Sequence, residues 1–96
     1  MRISKLLESH RDEIHRVVLQ NHACNPRIFG SAISNEDTEG SDLDVLVDPS
    51  SETTLLDIAR IHNQLQRLLG VPVDVLTPKA LPESFRDRVL AEAVPV

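Results

Sequence analysis

From Asp42 to Leu76 the chain reads DLDVLVDPSSETTLLDIARIHNQLQRLLGVPVDVL. Both ends of this stretch are short, β-prone and apolar apart from their aspartates, as strands of a half-buried sheet are. Between them Leu55, Ile58, His62, Leu65 and Leu69 recur at helical spacing, behind serines at 50 and 51 that could cap a helix and ahead of a closing Gly70. A strand, a helix and a second strand in that order imply a right-handed crossover, which lays the two strands side by side and parallel. The expected class is therefore α/β.

The same reading extends outward. Ile3, Leu6, Leu7, Ile14, Val17 and Val18 mark one face of a first helix, Ile3 to about Asn21. Asn25-Pro26 ends it, and Arg27-Ile28-Phe29 forms a short strand that runs into a turn at Gly30-Ser31. Residues 35–41 are polar or glycine and form a loop. Pro78 closes the last strand, and Pro82 opens a final helix with Phe85, Val89 and Leu90 as its apolar positions. The order is α-β-loop-β-α-β-α, a sheet of three strands or slightly more with helices on one side.

Ninety-six residues suit one small domain spanning 1–96, with one core and its chemistry at the edge of that core. At 41% hydrophobic and 26% charged residues the composition is that of a folded protein. The apolar runs are far shorter than a membrane span needs, and the N-terminus lacks the apolar stretch of a signal peptide, so the expected location is the cytoplasm, with no membrane partner. Cys24 is the single cysteine, too few for a disulfide or a cysteine zinc site, and is expected to fill a half-buried position. Phe29 and Phe85 are the only aromatics, and 10 basic against 15 acidic residues give a net charge of −5. Both facts count against direct nucleic-acid binding.

Chemistry concentrates on three aspartates and one turn. Residues two apart on a strand share a face, so Asp42 and Asp44 project together, and like charges that close call for a cation between them. Carboxylate oxygens suit Mg²⁺, which completes its shell with water and substrate phosphates. Asp74 is a carboxylate in an otherwise apolar strand that the crossover can set beside the pair. Gly30 lets the backbone approach a ligand closely, and Ser31 offers a hydroxyl and an N–H to a phosphate oxygen.

Gly30-Ser31, ten residues, Asp42-Leu43-Asp44 and then Asp74 on the next strand resemble the signature of the DNA polymerase β-like nucleotidyltransferases. The length and the C-terminal segment resemble their minimal nucleotidyltransferase branch. The resemblance implies a small α/β domain with a mixed sheet. It further implies Gly30 and Ser31 on the phosphates of a nucleoside triphosphate, Asp42 and Asp44 as Mg²⁺ ligands, and Asp74 as metal ligand and general base. It also implies an antitoxin that transfers AMP from ATP to a tyrosine of a cognate HEPN-type ribonuclease toxin.

One departure stands out. Many relatives carry a basic residue soon after Gly-Ser, whereas Ala32-Ile33-Ser34-Asn35 follows here, and from Ile28 to Ala59 there are eight acidic residues and no Lys or Arg. A phosphate would then need Mg²⁺ and a cation from elsewhere, with Arg27, Lys79 or a partner as sources. A second expectation follows, that of a catalytically weak antitoxin that neutralises its toxin by binding. Other motifs fit poorly. No strand precedes Asp42 as a phosphatase motif requires, Val45-Leu46-Val47 excludes a calcium loop, and the four histidines lack zinc spacing. His62 reads as a core-edge residue, and Arg86 and Arg88 as a solvated helix face.

Overall fold

The computed structural model describes residues 3–30 and 43–96, with side chains from Lys5 onward. Its elements are α1 (Ile3–Ser9), α2 (Arg11–Gln20), β1 (Ala23–Phe29), β2 (Leu43–Pro49), α3 (Leu55–Leu69), β3 (Val73–Leu76), a 3₁₀ turn (Pro78–Ala80), α4 (Glu83–Glu92) and β4 (Val94–Pro95). The sheet is mixed and four-stranded, ordered β3-β2-β1-β4. β2 and β3 are parallel, while β1 runs antiparallel to both β2 and β4. The α/β class and the parallel crossover are as expected, and β4 brings the sheet to four strands, within the expected three or slightly more.

Leu43, Val45 and Val47 of β2 are buried, and with Val73 of β3 they pack against Ile14, Val18, Ile61 and Leu65 from the helices. This is the main core, on one face of the sheet. Leu46 points the other way yet is also buried, as is Leu81 just after the 3₁₀ turn. A strand apolar on both faces sits in the middle of a sheet, as β2 does.

Several local features differ from the sequence reading. The first helix is two helices. At His10 the backbone N–H is shared between the Leu6 and Leu7 carbonyls, the ring Nδ1 lies 3.0 Å from the Leu6 oxygen, and Ser9 Oγ donates to Lys5 O at 2.9 Å. Side chains that compete for helix carbonyls interrupt the ladder. β1 begins earlier than Arg27, because a bulge between Cys24 and Arg27, with Asn25 at φ 53, carries the strand past Pro26. Cys24 is exposed there, not half-buried. Third, α4 buries none of its residues, and Phe85 is 43% exposed.

β4 lies beside β1 through the pairs Arg27–Pro95 and Ile28–Val94. Val96 N donates to Pro26 O at 3.0 Å, and His15 Nε2 lies 2.7 Å from Val96 O. These contacts return the chain to the strand that carries Gly30.

α3 starts later than the serines suggested. Thr54 is its N-cap, and Asp57 completes a capping box by accepting from the Thr54 backbone N–H at 2.9 Å. Gly70, at φ 70, closes the helix with its N–H on Gln66 O at 2.8 Å. Gln66 Oε1 then accepts from Val73 N at 3.0 Å and ties the helix end to β3.

Asp57 is buried, and its carboxyl is held below the usual carboxylate range, chiefly by the Thr54 N–H and further by His22, against the opposing effect of burial. The unfolded chain therefore binds this proton more tightly than the folded one. Thr54→Ala is expected to cost about 1 kcal/mol in urea denaturation at pH 7. Asp57→Ala is expected to destabilise at neutral pH, and its gap from the wild type to narrow as pH falls below about 4, the ordinary Asp value, toward the lower folded one.

Candidate active site

The site assembles where three neighbouring strands present the face opposite the main core. In the parallel register Asp44 of β2 is opposite Asp74 of β3, and in the antiparallel register it is opposite Phe29 of β1. Register partners share a face, so the two carboxylates project side by side from strands roughly 4.8 Å apart. Asp44 is half-buried and Asp74 exposed at the edge of the sheet.

Gly30, which follows Phe29, has φ 79. A Cβ there would lie 2.6 Å from Asp44 Oδ2. The glycine is required twice over, by its left-handed backbone and by the carboxylate that occupies the space a side chain would take. Asp74 thus lies beside Asp44 as the crossover implied, and the structure adds Gly30 to them. Ser31 and Asp42 lie outside the described residues.

Asp44 and Asp74 suit a hard divalent cation. Mg²⁺ is held by one or two carboxylates plus substrate phosphates, and the missing Cβ of Gly30 lets the Asp44 carboxylate lie against the turn.

The structure also narrows the source of the missing cation. Arg27 is on the same face as Asp44, but its guanidinium pairs with Asp48, and its Nε donates to Asn25 O at 3.2 Å. Asp48 also accepts from Asn25 Nδ2 at 3.0 Å. Arg27 is therefore bound into a local network at the far end of β2, about 13 Å along the strand from Asp44.

Two grooves flank the carboxylates. One, of about 360 Å³, is lined by Leu55, Ile58, Ala59, His62, Asp74, Val75 and Leu76. The other, of about 380 Å³, is lined by Phe29, Gly30, Phe85, Arg88, Val89 and Glu92. Sequence reasoning placed His62 at the core edge and Arg88 on a solvated face. Both line a groove beside the site, and the only hint in sequence was that a chain so poor in aromatics keeps one immediately before Gly30.

A mixed α/β sheet that sets a glycine turn beside strand carboxylates suits a nucleotide-handling enzyme, and comparison with known proteins identifies the class. Residues 3–96 match the family model described as polymerase beta, nucleotidyltransferase. A relative from Methanocaldococcus jannaschii, provisionally named a protein adenylyltransferase, is 40% identical over 80 residues, which is 83% of this chain and 86% of the relative. The protein adenylyltransferase MntA of Thermococcus cleftensis is 36% identical over 67 residues, 70% of this chain and 68% of its own. A solved structure provisionally described as a minimal nucleotidyltransferase superposes with a TM-score of 0.86 at 38% identity, covering 96% of this chain and 94% of that one. A chain of a toxin–antitoxin structure with AMP-PNP shares the fold at TM-score 0.72 and 16% identity, covering 88% and 69%.

The chain belongs to the polymerase β nucleotidyltransferase family and is a nucleotidyltransferase of its minimal type.

Gly30→Ala tests the glycine directly. The left-handed backbone should cost about 1–2 kcal/mol in denaturation, a modest loss because the clashing atom is the end of a side chain. Displacement of the Asp44 carboxylate should cost the site more, and nucleotidyl transfer is expected to fall by at least tenfold at temperatures where the variant is fully folded.

Proposed function

We propose that this protein is a Mg²⁺-dependent protein adenylyltransferase acting as an antitoxin, which transfers AMP from ATP to a tyrosine of a HEPN-type toxin. The observation that carries the reading is the register of Asp44 against Asp74 beside the substituent-free Gly30. Support for the acceptor class comes from the relatives named protein adenylyltransferases and from the fold shared with chains of toxin–antitoxin structures.

In this reading Asp42, Asp44 and Asp74 hold the metal, and Gly30 and Ser31 receive the triphosphate. A bound Mg²⁺ would supply charge neutralisation on the phosphate oxygens and on the leaving pyrophosphate. Asp74, exposed at the sheet edge, accepts the proton of the attacking hydroxyl at its carboxylate. Asp44, nearer the middle of the sheet, would be a ligand of that metal. The tyrosine oxygen forms the new bond to the α-phosphorus as the bond to pyrophosphate breaks. The groove beside Asp74 offers the acceptor chain an apolar approach through Ile58, Val75 and Leu76, with Leu55 89% exposed at its rim.

Purified protein incubated with labelled ATP, Mg²⁺ and the cognate toxin tests the reading. Label on the toxin is expected, lost on EDTA addition. Asp74→Asn is expected to lower transfer by 10²–10⁴-fold, the usual contribution of a general base, with folding and partner binding retained. Absent label with the wild type, together with toxin neutralisation by Asp42→Ala, would show an antitoxin that works by binding alone.

A further inference from the structure

The groove of about 380 Å³ between β1 and α4 shares only Gly30 with the proposed transfer site. Its volume is within the range of about 300–1,000 Å³ usual for small-molecule sites. The chain has two aromatic residues, Phe29 and Phe85, and both line it. Phe85 is 43% exposed on a helix with no fully buried residue and none in the hydrophobic core, so the fold's own core does not account for its position. Arg88, one turn further along α4, is the basic residue of the lining, and among the described residues it pairs with Glu92, at 3.3 Å across an exposed i, i+4 pair. Such pairs contribute little and open readily.

The groove's ends are ordered. Pairing of Val94 with Ile28 brings the C-terminal end of α4 alongside the end of β1, so Glu92 lies toward Gly30. Phe85, seven residues back, lies roughly 10 Å further along the helix, with Arg88 between. A path from the Asp44 carboxylate therefore passes Gly30, then Arg88, then Phe85. An anion followed by a flat apolar ring matches this sequence of groups, and that is the layout of a nucleoside triphosphate read from its phosphates to its base.

We infer that this groove receives the donor nucleotide, with its base against Phe85 and Phe29 and with Arg88, released from Glu92, on its phosphate chain. This rests on the nucleotidyl-transfer reading and adds two things to it: a base subsite, and a phosphate-facing cation that replaces the one missing between Ile28 and Ala59. Base–aromatic contact is tolerant of base identity, since every base has an apolar face. The subsite therefore takes nucleoside triphosphates without strong selection of the base. Arg88 is a positioning residue, acting on substrate affinity rather than on the reacting bond.

Calorimetric titration of the purified protein with Mg-ATP and with adenosine separates the roles. Phe85→Ala is expected to weaken both ligands by about tenfold, the scale of one lost stacking contact. Arg88→Ala is expected to weaken Mg-ATP by about tenfold and leave adenosine unchanged, and Arg88→Lys to restore part of the loss. In transfer assays both Ala variants should raise KM for ATP with kcat nearly constant, whereas Asp74→Asn should lower kcat. Unchanged Mg-ATP affinity in Phe85→Ala and Arg88→Ala, with transfer still abolished by Asp74→Asn, would overturn the base subsite while leaving the enzyme reading intact. Weaker toxin capture by Phe85→Ala at unchanged nucleotide affinity would overturn it too and assign the groove to the partner. A wild type that binds no Mg-ATP would remove both readings together.

Discussion

Everything in this site depends on holding two carboxylates on adjacent strands of one sheet. Asp44 and Asp74 are register partners, and their mutual repulsion works against the pairing of β2 with β3. The opposite face supplies the opposing force. Leu43, Val45 and Val47 are buried against α2 and α3, Val73 joins them, and Gln66 fastens the start of β3 to the end of α3. A slip of one residue would turn these apolar side chains outward and the aspartates into the core, at a cost far above that of the charge repulsion. The hydrophobic face thus fixes the register that the chemistry uses.

The distribution of positive charge follows a related logic. The segment from Ile28 to Ala59 holds eight acidic residues and no basic one, and the nearest arginine in sequence, Arg27, is drawn away by Asp48 and the carbonyl of Asn25. Arg27 pairs in register with Leu46, not with Asp44, so its side chain emerges beside Asp48 at the far end of β2. For the proposed nucleotide site the cation comes from a distant part of the chain. Arg88 is placed for it because β4 turns back along β1 and carries the end of α4 toward Gly30.

Much of this was legible in the residues. The crossover from Asp42 to Leu76 and the neighbourhood of Asp44 and Asp74 follow from strand periodicity and the handedness of the connection, both local rules. The break at His10, the early start of β1 and the capping of α3 by Thr54 instead of a serine were not. Each turns on which of several competing side-chain hydrogen bonds wins, as Ser9 and His10 show by occupying the carbonyls of Lys5 and Leu6. The exposure of Phe85 was hidden for a different reason. An apolar residue at helical spacing reads as core unless the whole sheet is known to be covered already by other helices.

The sequence by itself determined the α/β class, the parallel pair of strands and the face on which their aspartates lie, because alternation along a strand and the hand of a crossover depend only on nearby residues. The tertiary structure alone decided three further matters: the contact of Gly30 with the Asp44 carboxylate, the capture of Arg27 by Asp48, and the meeting of Phe29 with Phe85 and Arg88 beside the site. All three depend on pairings between segments far apart in the chain, β1 with β2 and β1 with β4. Such pairings are chosen by the packing of the whole sheet, and no local pattern encodes them.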